Sequence, residues 1–548
     1  EKILASSGEL IVPGAIRTLA DRDVEYELPI DLNGHRLYLE QLVGGGHVTE
    51  TQVYDLTTTD VTKASSPTTF LGGTAANLFN NNTARAGTDN TKRVIVEKKN
   101  LPMIVDYNFG TPTTIDSYRV WFGPLELPKR GPKTWTVEGS NDGTTWTVVD
   151  TRDNIFWQNR NYGVIFSLVE PVTYSRFRFK VTDSLADSSD PYMEFVQLEY
   201  GREALFGELH IDVPEGVIAQ NDTVLVDGQV RLIKEGKGTL VMARTDQYYW
   251  SSTVRDGLVK LVSGVRGPIG RYGAAITIEP EATFDMAGDC YETFYYTFNL
   301  DGGTLKNSVG VPSNWTKAMI QNVHLGADST IDFVDYGFIA ASYVATSLDL
   351  NGHVLTAKGT SGNNYFATTY ATPGTVKLSG SWEVYKDSPV SAPETRFEVY
   401  GQIHLNSATT FGEYIDNTSA TVMSYNAVLT VMKRFMPNTD YFRGCTLSDG
   451  VVIDLSGRTT AWNLDSKIGT TTQKTVTFAT GGHYMIDVKG RALKNGERLL
   501  VWNQDRKPGN FDSLTITLDP ATRSAGYRLV KDDDGIVIVR DSTIIFLR

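Results

Sequence analysis

The sequence predicts an all-β protein, a right-handed parallel β-helix interrupted by a β-sandwich jelly roll. Three observations predict it: a composition suited to short strands, a short unit that recurs on both sides of a long unrelated stretch, and alternating strand patterns within that stretch. The chain has 548 residues, among them 50 glycines and 26 tyrosines. Glycine suits tight turns and aromatic side chains suit a pleated surface, so this composition favours many strands joined by turns. The length is too great for one ordinary core and fits a repeat fold that carries an insertion.

Charge and hydropathy exclude several classes of function. The chain has 51 basic and 64 acidic residues, a net charge of -13, and no basic block that could neutralise phosphates, so nucleic acid is excluded as a partner. No apolar run approaches twenty residues, which predicts a chain without a membrane-spanning helix. Two cysteines, Cys290 and Cys445, are too few for a disulfide scaffold or a thiolate zinc cluster. We expect no cofactor.

Two short units repeat along the chain. Residues 31–37 (DLNGHRL) return as residues 349–355 (DLNGHVL), and a second unit occurs at 227–232 (DGQVRL), 256–261 (DGLVKL) and 534–539 (DGIVIV). Each unit is a turn followed by an alternating strand, with Asn-Gly or Asp-Gly at a corner that needs left-handed backbone. A single coil of this kind cannot bury its apolar side alone, so coils are expected to stack around a shared interior.

The repeats carry a family resemblance. Residues 234–240 (KEGKGTL) through 248–257 (YYWSSTVRDG) resemble the autotransporter-associated β-strand repeat, with diverged copies at 374–380 and 450–457. Residues 495–502, followed by 526–530, look like the closing coils of such passengers. The resemblance implies an exported bacterial protein whose β-helix acts as a stalk or display surface. The start of the chain at Glu1 is what a mature exported protein or a trimmed chain looks like.

A separate domain interrupts the repeats. We predict first β-helix coils at 1–46, an inserted domain at 47–201 and the remaining β-helix at 202–548. The insertion contains alternating strands around an Asn-Asp-Gly turn, and Trp135 and Trp146 are spaced to bury together in a sandwich interior.

The inserted block resembles the discoidin, or F5/8 type C, family, whose carbohydrate-binding members are β-sandwich jelly rolls. Besides the Gly-Ser-Asn-Asp-Gly turn, the resemblance rests on four segments: 75–83 (AANLFNNNT), 103–110 (MIVDYNFG), 174–180 (YSRFRFK) and 193–201 (MEFVQLEYG). It implies glycans or glycoproteins as partners.

Two departures from the family pattern bear on ligands. Many relatives have Asp and Glu where this chain has Asn80 and Gln197, and those carboxylates help to hold a structural Ca²⁺. We therefore expect a weakened or absent calcium site, with carbonyl oxygens near Asn80, Asn82 and Thr83 as its remaining ligands. The family's Arg-Asp-Pro is Arg130-Gly131-Pro132 here, so a ligand contact from that Asp is lost.

Sugar recognition needs an aromatic face for the C–H surface of a pyranose and planar polar groups for its hydroxyls. We expect Trp157 to be a stacking platform with Asn159 and Arg160 as hydrogen-bonding neighbours. The alternative is that Trp121 closes the sandwich core and Trp157 packs the insertion onto the helix. The predicted carbohydrate-binding residues are Trp121, Arg130, Trp157, Asn159, Arg160 and Tyr162.

Catalytic motifs are weaker. A polygalacturonase-type site needs Asn-Thr-Asp, Asp-Asp, Gly-His-Gly and Arg-Ile-Lys in that order, and only 438–440 (NTD) and a misplaced 231–234 (RLIK) are present. His35 and His353 share one repeat position, which predicts a structural corner role. The sequence thus predicts a secreted or surface glycan-binding protein. A polysaccharide lyase or glycoside hydrolase acting in a groove of the β-helix, and a structural or protein-binding adhesin, remain as alternatives.

Overall fold

The structure is a computed structural model, and two compact units are distinguished in the chain. Unit 1 comprises residues 1–284, 295–298 and 342–346, and unit 2 comprises residues 285–294, 299–341 and 347–548. The residues that the structure describes are 3–4, 10–11, 16–17, 30–39, 42–43, 46–50, 53–81, 93–122, 130–153, 155, 157, 163–221, 224–243, 249–262, 274–287, 297–309, 318–320, 322–334, 337–339, 347–366, 370–384, 390–417, 423–424, 429–437, 445–464, 476–502 and 507–541.

The described residues form short strands for the most part. The strands that begin in unit 1 are β1 Ile3–Leu4, β2 Leu10–Ile11, β3 Ile16–Arg17, β4 Ile30–Asp31, β5 Arg36–Leu39, β6 Leu42–Val43, β7 Gly46–Glu50, β8 Ala64–Ser65, β9 Val94–Glu97, β10 Met103–Phe122, β11 Pro132–Ser140, β12 Thr147–Arg152, β13 Val164–Ser184, β14 Tyr192–Gly201, β15 Glu208–Asp212, β16 Ile218–Asn221, β17 Val224–Gly228, β18 Arg231–Glu235, β19 Thr239–Met242, β20 Ser251–Val254, β21 Leu258–Leu261, β22 Ala275–Ile278, β23 Thr283–Asp285 and β24 Thr297–Asp301.

The strands of unit 2 are β25 Thr304–Asn307, β26 Ala318–Ile320, β27 Asn322–Ala327, β28 Ser329–Phe333, β29 Gly337–Ile339, β30 Ser347–Asp349, β31 Val354–Phe366, β32 Tyr370–Ala371, β33 Gly374–Val384, β34 Val390–Val399, β35 Gln402–Leu405, β36 Thr409–Asp416, β37 Met423–Ser424, β38 Leu429–Met436, β39 Cys445–Leu447, β40 Val452–Asp454, β41 Trp462–Asn463, β42 Val476–Phe478, β43 His483–Asp487, β44 Glu497–Val501, β45 Thr515–Leu518, β46 Tyr527–Asp532 and β47 Gly535–Arg540. The helical segments are α1 Pro520–Ser524 and the 3₁₀ turns Val61–Lys63, Ala75–Phe79, Lys98–Asn100, Glu203–Leu205 and Phe511–Ser513.

Parallel coils build the solenoid part of unit 1. Strand β15 pairs in parallel with β5 and β18, β18 pairs with β20, and β16 pairs through β19 with β21. Alternate side chains of β19, β20 and β21 are buried, as expected for coils that share one interior. The predicted corner is confirmed, because Asn33 and Gly34 have φ of 47° and 80°.

The inserted module is an antiparallel sandwich within unit 1. Its strands follow the order β12-β11-β13-β10-β14-β9, with β8 also on β10. The long strands β10 and β13 change register between Asn108 and Thr113, and the strand segments on the two sides of this shift have different neighbours. Trp135 is fully buried in the core between the layers, which confirms its predicted place.

Unit 2 contains parallel solenoid coils of its own. Strands β31, β33, β34, β36 and β38 stack in order, and the recurring corner at Asn351 and Gly352 again has positive φ, 48° and 82°. The all-β class and the parallel β-solenoid predicted from the repeats are therefore confirmed.

The strand pairing of two segments differs from the prediction. Strand β7 (Gly46–Glu50) pairs in parallel with β17 and β4, so residues 47–50 lie in the solenoid and the antiparallel module follows them. The unit at 534–539 is not a parallel coil: β47 pairs antiparallel with β44 and β46, and β44 pairs in parallel with β41. A four-stranded sheet takes the place of the expected closing coils because hydrogen bonds between its own strands satisfy the final edges.

Candidate functional site

The predicted carbohydrate-binding residues are not brought together as a set. Asn159, Arg160 and Tyr162 lie outside the described residues. Trp121 hydrogen-bonds Glu199, whereas Arg130 contacts Glu194, and these two carboxylates are five residues apart on β14. At ~3.3 Å per residue this spacing is about 17 Å, so Trp121 and Arg130 contact carboxylates near opposite ends of one strand.

Arg130 belongs to a network built on a buried carboxylate. Glu194 is fully buried and accepts hydrogen bonds from Arg93, at 2.6 Å, and from Nη1 of Arg130, at 3.0 Å. The Nε of Arg130 donates to Asp190 at 2.9 Å. Two carboxylates thus orient the Arg130 guanidinium, whose side chain is 21% exposed. The bonds to Asp190 and Glu194 raise the pKa of Arg130, against the effect of burial, so the group stays charged.

An exposed aromatic ring lies beside this guanidinium. Tyr192, the first residue of β14, is 36% exposed, and Cζ of Arg130 lies 5.9 Å from its ring centroid. We name the surface formed by Arg130, Asp190 and Tyr192 the jelly-roll rim. Tyr192 was not among the predicted residues; the available signal was an aromatic residue directly after Asp190-Pro191, where a loop meets a strand.

Trp157 does not serve as an exposed platform, and the expectation that its face stacks on sugar is corrected. Its side chain is 1% exposed and stacks on Trp135 with centroids 5.9 Å apart. Its indole N–H donates to the carbonyl of Pro132. A Cβ on Gly131 would lie 2.1 Å from Cδ1 of Trp157, so the ring occupies the space that the family's Asp would need. The Trp157 ring thus packs against Gly131, the residue that follows Arg130 of the rim.

Trp146 differs from its prediction in the opposite sense, since it is more exposed than expected. It was expected in the core, but it is only partly buried in the turn before β12, and the Arg178 guanidinium lies 3.9 Å from its ring centroid. The tight Ser140–Thr145 turn, held by hydrogen bonds to Asp142, places the residue outside the sandwich interior. Alternation alone could not show this, because the turn shifts the phase of the strand that follows.

Trp121 lies in the junction between the module and the solenoid coils of unit 1. Its ring is half-buried, its N–H donates to Glu199 at 3.1 Å, and the Arg119 guanidinium lies 5.0 Å from its centroid. The same guanidinium lies 5.1 Å from Tyr54 and 5.3 Å from Trp250 of the solenoid. Aromatic and cationic contacts of this kind stabilise the junction, so Trp121 has a structural role here.

A buried acid marks the same junction. Oδ1 of Asp55 accepts hydrogen bonds from the N–H and hydroxyl of Thr57, at 2.9 and 2.7 Å. Burial, with a smaller contribution from Glu199, raises the pKa of Asp55 from 3.8 to about 7. The folded protein therefore holds a proton that the unfolded chain releases near its ordinary pKa.

The junction should accordingly lose stability as pH rises. A folded-state pKa above the unfolded value gives stability that is present below pH 3.8 and lost as pH rises to about 7. At about 1.4 kcal/mol per pKa unit, we expect Asp55→Asn to exceed the wild type in unfolding free energy by about 3–4 kcal/mol at pH 8, with a difference that shrinks toward pH 5. Denaturant titrations at several pH values measure it, and a pH-independent difference would contradict the assignment.

The calcium expectation stays a prediction. Asn80 ends the 3₁₀ turn Ala75–Phe79, whereas Asn82 and Thr83 lie outside the described residues. The amide of Gln197 is buried and donates to Oδ1 of Asn81 at 3.1 Å, so an amide pair lies near the positions where the family has carboxylates. Among the described residues, no group of three His, Cys, Asp or Glu side chains converges as metal ligands would.

The two repeat histidines and the two cysteines are not among the residues that form the jelly-roll rim. His353 follows its corner and lies 3.6 Å from Asp328, and the backbone N–H of His35 donates to Leu32 within the equivalent turn. Cys445 is a buried free thiol, and Cys290 lies outside the described residues. In the part of the chain that the structure describes, no helix has the length and apolar character needed to cross a bilayer.

Comparison with known proteins gives structural neighbours only. No family model and no curated protein matches the chain, so the autotransporter-type repeat stays a prediction. Similar structures include a chitosan-binding module from a chitosanase/glucanase of Paenibacillus sp. IK-5 (18% identity, 27% of this chain, 100% of that chain, TM-score 0.21). A second is the family 32 carbohydrate-binding module of Clostridium perfringens NanJ in complex with galactose (13% identity, 25% of this chain, 90% of that chain, TM-score 0.20). A third is that of AlyQ with 4,5-unsaturated mannuronic acid (12% identity, 26% of this chain, 95% of that chain, TM-score 0.19). Identities and scores this low give no basis for transferring a ligand.

Proposed function

We propose that this protein binds glycans through the jelly-roll rim. The observation that carries the proposal is the exposed Tyr192 ring beside an Arg130 guanidinium that Asp190 and buried Glu194 hold in one orientation. A sugar offers a C–H face to the ring and hydroxyls to the planar donors of the guanidinium. Because the guanidinium is already oriented, little side-chain entropy is lost on binding.

The setting proposed for this activity is the cell surface or the extracellular medium. The parallel strands are paired along successive coils, and an antiparallel sheet follows them near residue 540. Few unpaired edges are thus presented by the described strands, which suits a medium that contains proteases. Fractionation of the producing bacterium, with the protein recovered outside the cytoplasm, is the test.

Tyr192→Ala should weaken glycan binding at least tenfold, or ~1.4 kcal/mol, because the ring face is lost while the fold remains. The measurement is a glycan array with the full chain, followed by calorimetry on the best ligand. Tyr527→Ala is the matched control, since Tyr527 also begins a strand and lies 5.7 Å from a guanidinium, that of Arg540. Equal affinities of the two variants, or a blank array, would refute the rim as the site.

A further inference from the structure

The solenoid of unit 2 has a cleft of about 370 Å³ that the jelly-roll rim does not involve. Strands β34, β36, β38 and β40, or the residues just after them, supply its side chains, because the parallel register holds equivalent positions of successive coils side by side. We name it the solenoid cleft. Its polar and aromatic lining residues are Arg396, Glu398, Tyr400, Asn417, Arg434 and Asp454.

The exposed surface of the cleft is mostly polar, two apolar side chains lie in its middle, and its two ends are acidic. Ile415 and Met436 are register neighbours in the middle of the cleft. Glu398 precedes Ile415 in this row, and Asp454 follows Met436 on the next strand. Three strand spacings of ~4.8 Å separate the two carboxylate positions, about 14 Å in all. This span fits a short stretch of a polymer better than a single ion or small metabolite.

Ion pairs between coils fix the charged groups along the edge. Arg396 donates from Nε to Glu398 at 2.8 Å and from Nη1 to Glu413 at 3.2 Å. Arg434 donates to Asp454 and, at 3.1 Å, to Asp487. Each guanidinium is therefore oriented by carboxylates from more than one strand, and it presents planar donors at a fixed position.

Tyr400 supplies an exposed and anchored ring. It is 50% exposed, and its hydroxyl donates to Oε2 of Glu398 at 2.7 Å. This hydrogen bond raises the pKa of Tyr400, so the hydroxyl keeps its proton at neutral pH. An aromatic face held beside oriented polar groups has the chemistry that sugar rings require.

The charge balance selects among sugars. Among the described residues, the charged side chains of the cleft and their charged partners are four acids and three bases, a net charge of -1, on a protein whose own net charge is -13. They are Glu398, Glu413, Asp454, Asp487, Arg396, Arg434 and Lys377. A polyanion such as a uronate chain would meet net repulsion, whereas a neutral chain would not.

We propose that the solenoid cleft is a second carbohydrate-binding site, which takes a short stretch of a neutral hexose chain with one ring stacked on Tyr400. This goes beyond the proposed function, since it assigns a ligand to the solenoid itself. We propose binding without cleavage: Glu398 and Asp454 at the two ends are ~14 Å apart, beyond the ~5–5.5 Å of retaining and the ~6.5–9.5 Å of inverting glycosidases. The closer acids Asp454 and Asp487 are both bound to the Arg434 guanidinium. The Tyr400 hydroxyl, committed to Glu398, offers no base for elimination.

The test is calorimetry on the full chain in a Tyr192→Ala background, which weakens binding at the rim. The probes are cellohexaose and maltohexaose as neutral chains, a glucosamine hexamer as a cationic chain and hexagalacturonate as an anionic chain. We expect one neutral hexasaccharide to bind at one site per chain, with affinity at least tenfold lower after Tyr400→Ala. Tyr527→Ala is the control, and unchanged unfolding midpoints show that each variant is folded.

Each outcome has a definite meaning. Binding of a neutral chain that Tyr400→Ala weakens supports the cleft, whatever the array shows for the rim. No binding by any hexasaccharide, or binding that Tyr400→Ala leaves unchanged, overturns it and leaves the rim proposal standing. Tighter binding of hexagalacturonate or of the glucosamine hexamer than of the neutral chains refutes the assignment of a neutral ligand, and new reducing ends or unsaturated products after incubation refute a binding-only cleft.

Discussion

Trp157→Ala is expected to destabilise the jelly roll by ~3–5 kcal/mol, the usual cost of removing a buried tryptophan from a packed core. The ring is 1% exposed, packs on Trp135 and fills the space above Gly131. Its loss leaves a cavity and removes a hydrogen bond to the Pro132 carbonyl. Denaturant unfolding followed by near-ultraviolet circular dichroism measures the change.

Trp146→Ala is the matched control for this prediction. The same residue type is removed from the same module, but the ring is partly exposed and the Arg178 guanidinium lies 3.9 Å from its centroid. A surface cation–π contact contributes about 0.5–1 kcal/mol, so we expect a loss of that order. Equal destabilisation by the two substitutions would contradict the burial of Trp157.

This pair of tryptophans shows what the sequence could and could not predict. The corners at Asn33-Gly34 and Asn351-Gly352 were predictable, because an Asn-Gly pair favours left-handed backbone through its own local chemistry. The placement of Trp146 and Trp157 depends instead on how a turn and a distant strand meet, and neither contact leaves a local pattern. The Gly131 substitution was visible in the sequence, but its reason, the ring of Trp157 above it, is a tertiary contact.

The rim was hidden for a related reason. Strand β14 is buried at every position after Tyr192, so alternation gives no sign of which side chains face the rim. Glu194 lies in that strand and meets Arg93 and Arg130, one from a segment about a hundred residues earlier. Arg130 was identified from its place in a family motif. Its partners were not identified, because ion pairs between segments remote in sequence produce no regular spacing in the sequence.

Glu194→Ala is expected to cost ~3–5 kcal/mol, because it removes one member of a buried ion-pair network and leaves the other charges in a desolvated place. Glu194 is fully buried and the Arg93 side chain is 8% exposed, so water cannot readily replace the lost carboxylate. The unfolding free energy from denaturant titration is the measurement. Asp532→Ala is the control: its pair with Arg498 is exposed on both sides, which limits the expected loss to ~1 kcal/mol.

The same substitution separates orientation from stability at the rim. Without Glu194, Arg130 keeps Asp190 but loses the second carboxylate that fixes its guanidinium, so glycan affinity should fall although Tyr192 is intact. The double variant Arg93→Met with Glu194→Leu replaces the charge pair with apolar groups, and it should recover much of the stability without recovering the affinity. If affinity returned together with stability, the carboxylate would have no orienting role, and ligand recognition would depend on the fold of the rim alone.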